Sequence, residues 1–167
     1  MDANPVLAVR VRRMQLQDVE QVSAIDGLSF SLPWPERSYR FEVTENGAAR
    51  AWVAEVEGQL AGMLVLWLIV DEVHIGTIAV HPDFRQRGVA QRLLADALLA
   101  ASEEGAVRVF LEVRRGNLAA QALYHKFGFV VDSVRPKYYR DNGEDALLMT
   151  LETLQPARCR QLAGEPG

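Results

Sequence analysis

I-G-T-I-A-V-H-P-D-F-R-Q-R-G-V-A-Q-R-L-L, residues 75–94, decides how the rest of this chain is read. A β-branched apolar run ends at Val80, a basic loop with a glycine follows over Arg85–Ala90, and an amphipathic helix begins. A strand feeding such a loop into a helix N-terminus is a place to hold phosphate. The N–H groups of a first helical turn have no partner within the helix, and the dipole there favours negative charge. Small residues at Gly88 and Ala90 let a ligand approach the backbone, and Arg85, Arg87 and Arg92 add positive charge. Neither G-x-x-x-x-G-K-S/T nor G-x-G-x-x-G occurs, so the nucleoside triphosphate and dinucleotide readings lose their main support. Taken alone, the loop also reads as an exposed turn with ordinary capping and surface arginines.

Working outward, the hydrophobic periods predict the neighbouring elements. Upstream, 6–14 alternates at its centre as a first strand, and 18–30 has helical spacing in Val19, Val22, Ile25 and Leu28. S-L-P-W-P at 31–35 breaks that pattern, and a short helix is expected over 36–45, with Pro35 suited to its start. Residues 50–80 read as a three-stranded meander with turns at Glu57-Gly58 and Asp71-Glu72. Helix 88–104 carries apolar positions 90, 93, 94, 97, 98 and 101, with Gly105 as its cap. Strand 107–113, helix 117–127 with Asn117 as N-cap and Gly128 past its end, and strands 129–134 and 145–152 complete the pattern. The result is one α/β domain over 1–152, a mixed sheet of about seven strands flanked by about four helices and antiparallel in its first half. Residues 153–167, with two prolines, two glycines and no periodicity, read as a flexible C-terminal tail.

Composition narrows the function classes. At 167 residues, 49% hydrophobic and 24% charged, the chain is an ordinary globular domain. Its net charge of −4 argues against nucleic-acid and anionic-membrane partners. The longest apolar run, Ala61–Val70, has ten residues and reads as a buried strand. No secretory signal opens the sequence and Cys159 is the lone cysteine, so a cytoplasmic location is expected. His74, His81 and His125 share no ligand spacing, so no metal is expected. Ser29 and Ser31 lack a G-x-S-x-G elbow, which argues against a serine hydrolase.

R-x-x-G-x-A after a strand ending I-A-V-x-P is similar to the acetyl-CoA signature of the GNAT acetyltransferase family. The match continues in order through L-E-V-R-R-G-N-L-A-A-Q-A-L-Y-H-K-F-G-F at 111–129. L-P-W at 32–34, L-E-V-R at 111–114 and Y-Y-R-D-N-G-E-D-A-L-L-M at 138–149 resemble more narrowly its bacterial RimI branch. That branch acetylates the N-terminal alanine of a small-subunit ribosomal protein. The resemblance covers about residues 8–152. It implies acetyl-CoA as donor, with Arg85, Gln86, Arg87, Gly88, Val89 and Ala90 wrapping the pyrophosphate through their N–H groups. It also implies that the main chain of Ile78, Ala79 and Val80 pairs with the pantetheine arm and that Asn117 contacts the cofactor. Trp34, Tyr138 and Tyr139 would line the groove for a protein N-terminus. His81 departs from close relatives, which often carry aspartate there.

Acetyl transfer to an amine needs a base, oxyanion donors and an acid for the leaving thiolate. A peptide α-amino group has a pKa of about 8 and arrives mostly protonated. Glu112, alone among apolar residues of its strand, is the candidate base, named also by the L-E-V-R match. The competing reading gives it a solvated face or a partner such as Arg114. Asn117, Ala120 and Tyr124 are spaced to share one helix face, so a single stripe can touch the cofactor. In the family a tyrosine at the Tyr124 position is the acid; otherwise it packs beside Phe127 and Phe129. The oxyanion is expected at a main-chain N–H near Ala79 or Val80. Glu144 and Asp145 either attract a cationic acceptor or are solvated. Two alternatives stay open: a small amine, an antibiotic or a lysine side chain as acceptor, and a non-catalytic acetyl-CoA-binding adaptor.

Overall fold

Ala61–Leu66 is buried on both faces of a sheet, which explains its unbroken apolar run: Leu64 and Leu66 face one core, Met63 and Val65 the other. The computed structural model describes residues 8–164. Its seven strands are β1 (Val9–Arg13), β2 (Ala49–Val56), β3 (Gln59–Ile69), β4 (Glu72–Val80), β5 (Arg108–Arg114), β6 (Val130–Arg135) and β7 (Ala146–Leu151). They lie in the order β1-β2-β3-β4-β5-β7-β6, antiparallel throughout except between β4 and β5. Val6 and Leu7 of the expected first strand lie outside the described residues.

Helices α1 (Val19–Ser29) and α2 (Glu36–Thr44) cover one face, burying Val19, Val22, Ile25 and Tyr39 against Ala51, Val53 and Ala79. Helices α3 (Val89–Glu103) and α4 (Leu118–Phe127) help form the core on the other face. Asn117 caps α4, its Oδ1 accepting the Ala120 N–H at 3.1 Å, and Gly128 closes that helix at φ +99°.

The C-terminal segment corrects an expectation. Pro156–Gly164 forms a fifth helix, α5, burying Cys159 and Leu162 against the core that contains α3. Gln91 Nε2 donates to Leu162 O at 3.0 Å, a tie between α3 and α5. Cover from this second side explains why α3 buries Gln91 and Ala95 beyond its expected stripe. Four apolar positions in nine residues, two of them alanines, are too few for periodicity to reveal α5, although Pro156 at its start is a helix signal.

Candidate active site

β4 and β5 run parallel and pair only where Glu72, Val73 and His74 face Arg108, Val109 and Phe110. Beyond that point a cavity of about 510 Å³ lies between them, lined by Ile75–Ile78 from β4 and Leu111–Arg114 from β5. Asn117, Ala120 and Tyr124 of α4 form another wall, and residues 29–32 with Trp34 close it from the α1–α2 loop. A second cavity of about 580 Å³ continues past Glu112, lined by Trp67, His74, Phe110, Arg135, Tyr138 and others. Trp34, Ile75, Gly76, Leu111, Glu112 and Tyr139 line both.

Strand alternation aims the reactive side chains. Val109, Leu111 and Val113 of β5 enter the core, so Glu112 turns to the opposite face, toward the α1–α2 loop. Its carboxylate lies 3.5 Å from an Arg135 nitrogen, and its pull on the Tyr138 hydroxyl holds the Tyr138 phenol above its ordinary value. Tyr124 is buried, packs against Phe129 at 5.7 Å and has its phenol pushed up to about 12, mainly by burial. The Trp34 ring stacks on Trp67 at 6.0 Å and leans on Tyr39 at 5.3 Å. Tyr138 and Tyr139 meet edge to face at 5.1 Å.

β4 carries a bulge here: Val65 faces Thr77 and Leu66 faces Ile75, so Gly76 is the extra residue. The His81 N–H donates to Ala61 O at 2.7 Å. By antiparallel alternation the main chain of Ala79 therefore turns to β3, while that of Ile78 and Val80 turns to the open edge. Arg85 Nε already uses Val80 O at 3.1 Å.

The basic loop lies apart from both cavities, at the start of α3. Gln86 and Gly88 are left-handed at φ +62° and +79°, the kind of turn that converges N–H groups on an anion. Gly88 gives α3 no side-chain cap, and its first turn holds no acidic residue. The N–H groups of Val89 and Ala90 precede the first helical bond, from Arg92 N to Gly88 O at 3.0 Å. Nothing intrahelical satisfies these donors, so the turn fits a phosphate. Val89 itself is a core side chain, and Arg92 is paired with Asp96 at 2.9 Å.

The acetyltransferase (GNAT) family model matches residues 19–129. The chain belongs to this family. A Bacillus subtilis protein provisionally named ribosomal protein bS18-alanine N-acetyltransferase is 41% identical over 139 residues, 83% of this chain and 92% of that one. The Escherichia coli enzyme of the same name is 28% identical over 152 residues, 84% of this chain and 95% of that one. The crystal structure of the Escherichia coli ribosomal-protein-S18-alanine N-acetyltransferase superposes with a TM-score of 0.81 at 26% identity, covering 89% of this chain and 96% of that one. This GNAT protein is therefore an acyltransferase, and GNAT acetyltransferases draw on acetyl-CoA.

Several residues of this GNAT site escaped sequence reasoning. Arg114 does not pair with Glu112: its fork grips Asp141 at 3.0 and 2.9 Å, reaches Glu144 at 3.3 Å and lies 3.9 Å over the Tyr139 ring. Asp141 also accepts the Ser31 hydroxyl, so the α1–α2 loop and the β6–β7 connection meet across the cavity. Glu144 and Asp145 are ligated rather than merely solvated: Glu144 accepts Gly116 N–H at 2.7 Å and Asp145 pairs with Arg115 at 3.0 Å. R-D-N-G-E-D at 140–145 signalled a turn, but charge pairs across 27 or more positions leave no local pattern. His81 Nδ1 accepts Asp83 N–H at 3.1 Å, capping the turn Pro82–Phe84 as an aspartate would. Among the described residues no group of three or more His, Cys, Asp or Glu is arranged for a metal, and no helix is long and apolar enough to cross a membrane.

Proposed function

We propose that this protein transfers the acetyl group of acetyl-CoA to the α-amino group of a protein N-terminus, an alanine of a small-subunit ribosomal protein being its natural acceptor. The observation that carries this reading is Glu112 at the junction of two cavities, one running along the β4–β5 cleft and one lined by Trp34, Tyr138 and Tyr139. Two separate reactants need such a junction, and the names of the Bacillus and Escherichia relatives support the choice of acceptor.

Acetyl-CoA supplies a thioester-activated acetyl group. The turn that opens α3, with Arg85–Ala90 at its start, suits its pyrophosphate, and the outward main chain of Ile78 with the outward N–H of Val80 suits its pantetheine arm. Asn117 and Ala120 face the same cleft from α4.

Glu112 takes the proton that the arriving α-ammonium must lose, directly or through one water, and its partial exposure allows that proton to leave. Tyr124, held protonated far above neutral pH, donates to the departing thiolate. A β4 N–H on the open edge, at Ile78 or Val80, meets the oxyanion. Transfer is direct: Cys159 is buried on the inner face of α5, its thiol pushed up to about 11, and lines neither cavity.

The test is thiol release with three acceptors: an Ala-starting peptide, the same peptide N-terminally blocked, and a polyamine. The reading requires turnover with the free N-terminus alone. Equal turnover with the blocked peptide, or preference for the polyamine, defeats it.

A further inference from the structure

Asp26 lies on the buried face of α1, 1% exposed, and lines neither cavity. Its Oδ2 accepts the Tyr39 hydroxyl from α2 and, at 3.3 Å, the main-chain N–H of Trp34 from the α1–α2 loop. Its Oδ1 is buried with no hydrogen-bond partner, and no cation among the described residues pairs with the carboxylate. Burial lifts the Asp26 carboxyl above the usual carboxylate range. A group held this way costs stability, and an apolar residue of similar size would fill the same space without that cost.

What the carboxylate does is join three segments. Tyr39 is wholly buried, and besides reaching Asp26 its hydroxyl interacts with Thr77, one residue past the Gly76 bulge of β4. Trp34 stacks on Trp67, leans on Tyr39, and lines both cavities together with Glu112. Asp26 therefore ties α1 to the loop that carries Trp34 and, through Tyr39, to the bulged strand. Each wall of the junction except β5 and the β6–β7 connection leads back to this one side chain.

We propose that Asp26 is a positioning residue for acceptor specificity: it fixes Trp34 and the bulge of β4, and so sets the space left for the first acceptor side chain. The proposal rests on the acceptor assignment above. It predicts that loosening the tie weakens and broadens acceptor binding while acetyl-CoA binding stays as it is.

The test compares Asp26→Leu, Asp26→Asn and Tyr39→Phe with the wild-type protein, using Ala-starting and Leu-starting peptides. Asp26→Leu removes both hydrogen bonds; Asp26→Asn keeps an oxygen able to accept both. Asp26→Leu should raise the peptide KM at least about fivefold, the scale of one lost hydrogen bond, and narrow the Ala-over-Leu preference. The KM for acetyl-CoA should stay within about twofold, and Asp26→Asn should recover most of the loss. Tyr39→Phe should move the peptide KM the same way, and it carries the test if Asp26→Leu does not fold. Unchanged peptide KM and preference in the folded variants overturn the proposal. An acceptor-independent reading comes from acrylamide quenching of tryptophan fluorescence, which should rise in Asp26→Leu but not in Asp26→Asn; equal quenching overturns the tie. A wild-type protein indifferent to the peptide N-terminus would instead defeat the acceptor assignment, leaving the quenching result to decide the role of Asp26.

Discussion

Gly76→Ala adds one carbon at the β4 bulge, where the two cavities meet. A Cβ there would sit 2.6, 2.9 and 3.0 Å from three ring carbons of Trp67. Carbon contacts ordinarily settle near about 3.5–4.0 Å, so the indole has to retreat by about 1 Å. It has little room to do so: Trp67 Nε1 donates to Glu42 Oε2 at 2.9 Å, and its ring is stacked on Trp34 at 6.0 Å. Elsewhere in a strand this substitution would stabilise by about 0.5–1 kcal/mol. Overpacking of about 1–3 kcal/mol reverses the sign. Net of that gain, an overpacking cost in the upper half of that range lowers Tm in a domain of this size by roughly 2–10 °C, read by circular dichroism. Because Trp34 moves with Trp67, the peptide KM in thiol-release assays should rise together with the loss of Tm. Trp67→Leu removes the clashing ring, so the double variant should lose less than the sum of the single losses, by about 1 kcal/mol. A Tm within about 1 °C of wild type, with strict additivity in the cycle, would refute the reasoning.

Two further outcomes follow from the same structure. Tyr124→Phe keeps the packing against Phe129 but removes the phenol, and should lower turnover at least about tenfold with acetyl-CoA affinity unchanged by calorimetry. Asp18, nearly buried and gripped by Arg12 at 2.7 and 2.9 Å, is held below the usual carboxylate range chiefly by that hydrogen bond. Its folded pKa is depressed, so its stabilisation is fully present above about pH 4 and is lost as pH falls through the folded value. Asp18→Asn should therefore lower the urea midpoint at pH 7 and flatten its decline in acid; a variant with the wild-type acid profile would contradict this.

Most of the fold was legible because its signals are local. The meander over residues 50–80, the helix opened by Gly88 and the cap at Asn117 each follow from period or turn chemistry within a few positions. What was missed depends on tertiary company. Helix α5 has only a thin apolar stripe and is fixed by its packing on the core with α3, and Gln91 is buried because α5 lies over it. The site divides the same way. Glu112 stood out as an acid in an apolar strand, and Tyr124 by its helical spacing to Asn117. Arg135 as the neighbour of Glu112, the Arg114–Asp141–Ser31 contact and the Asp26–Tyr39–Trp34 tie join residues distant in sequence or aimed by helix geometry, which single-residue patterns do not encode.

The account turns on Glu112 as the base between donor and acceptor, and Glu112→Gln tests it most directly. The variant preserves size and can accept a hydrogen bond from Tyr138, so binding should survive while proton removal does not. Steady-state thiol release with acetyl-CoA and a saturating Ala-starting peptide should fall at least about tenfold, with acetyl-CoA affinity as in the wild type. Wild-type turnover in Glu112→Gln would contradict the account.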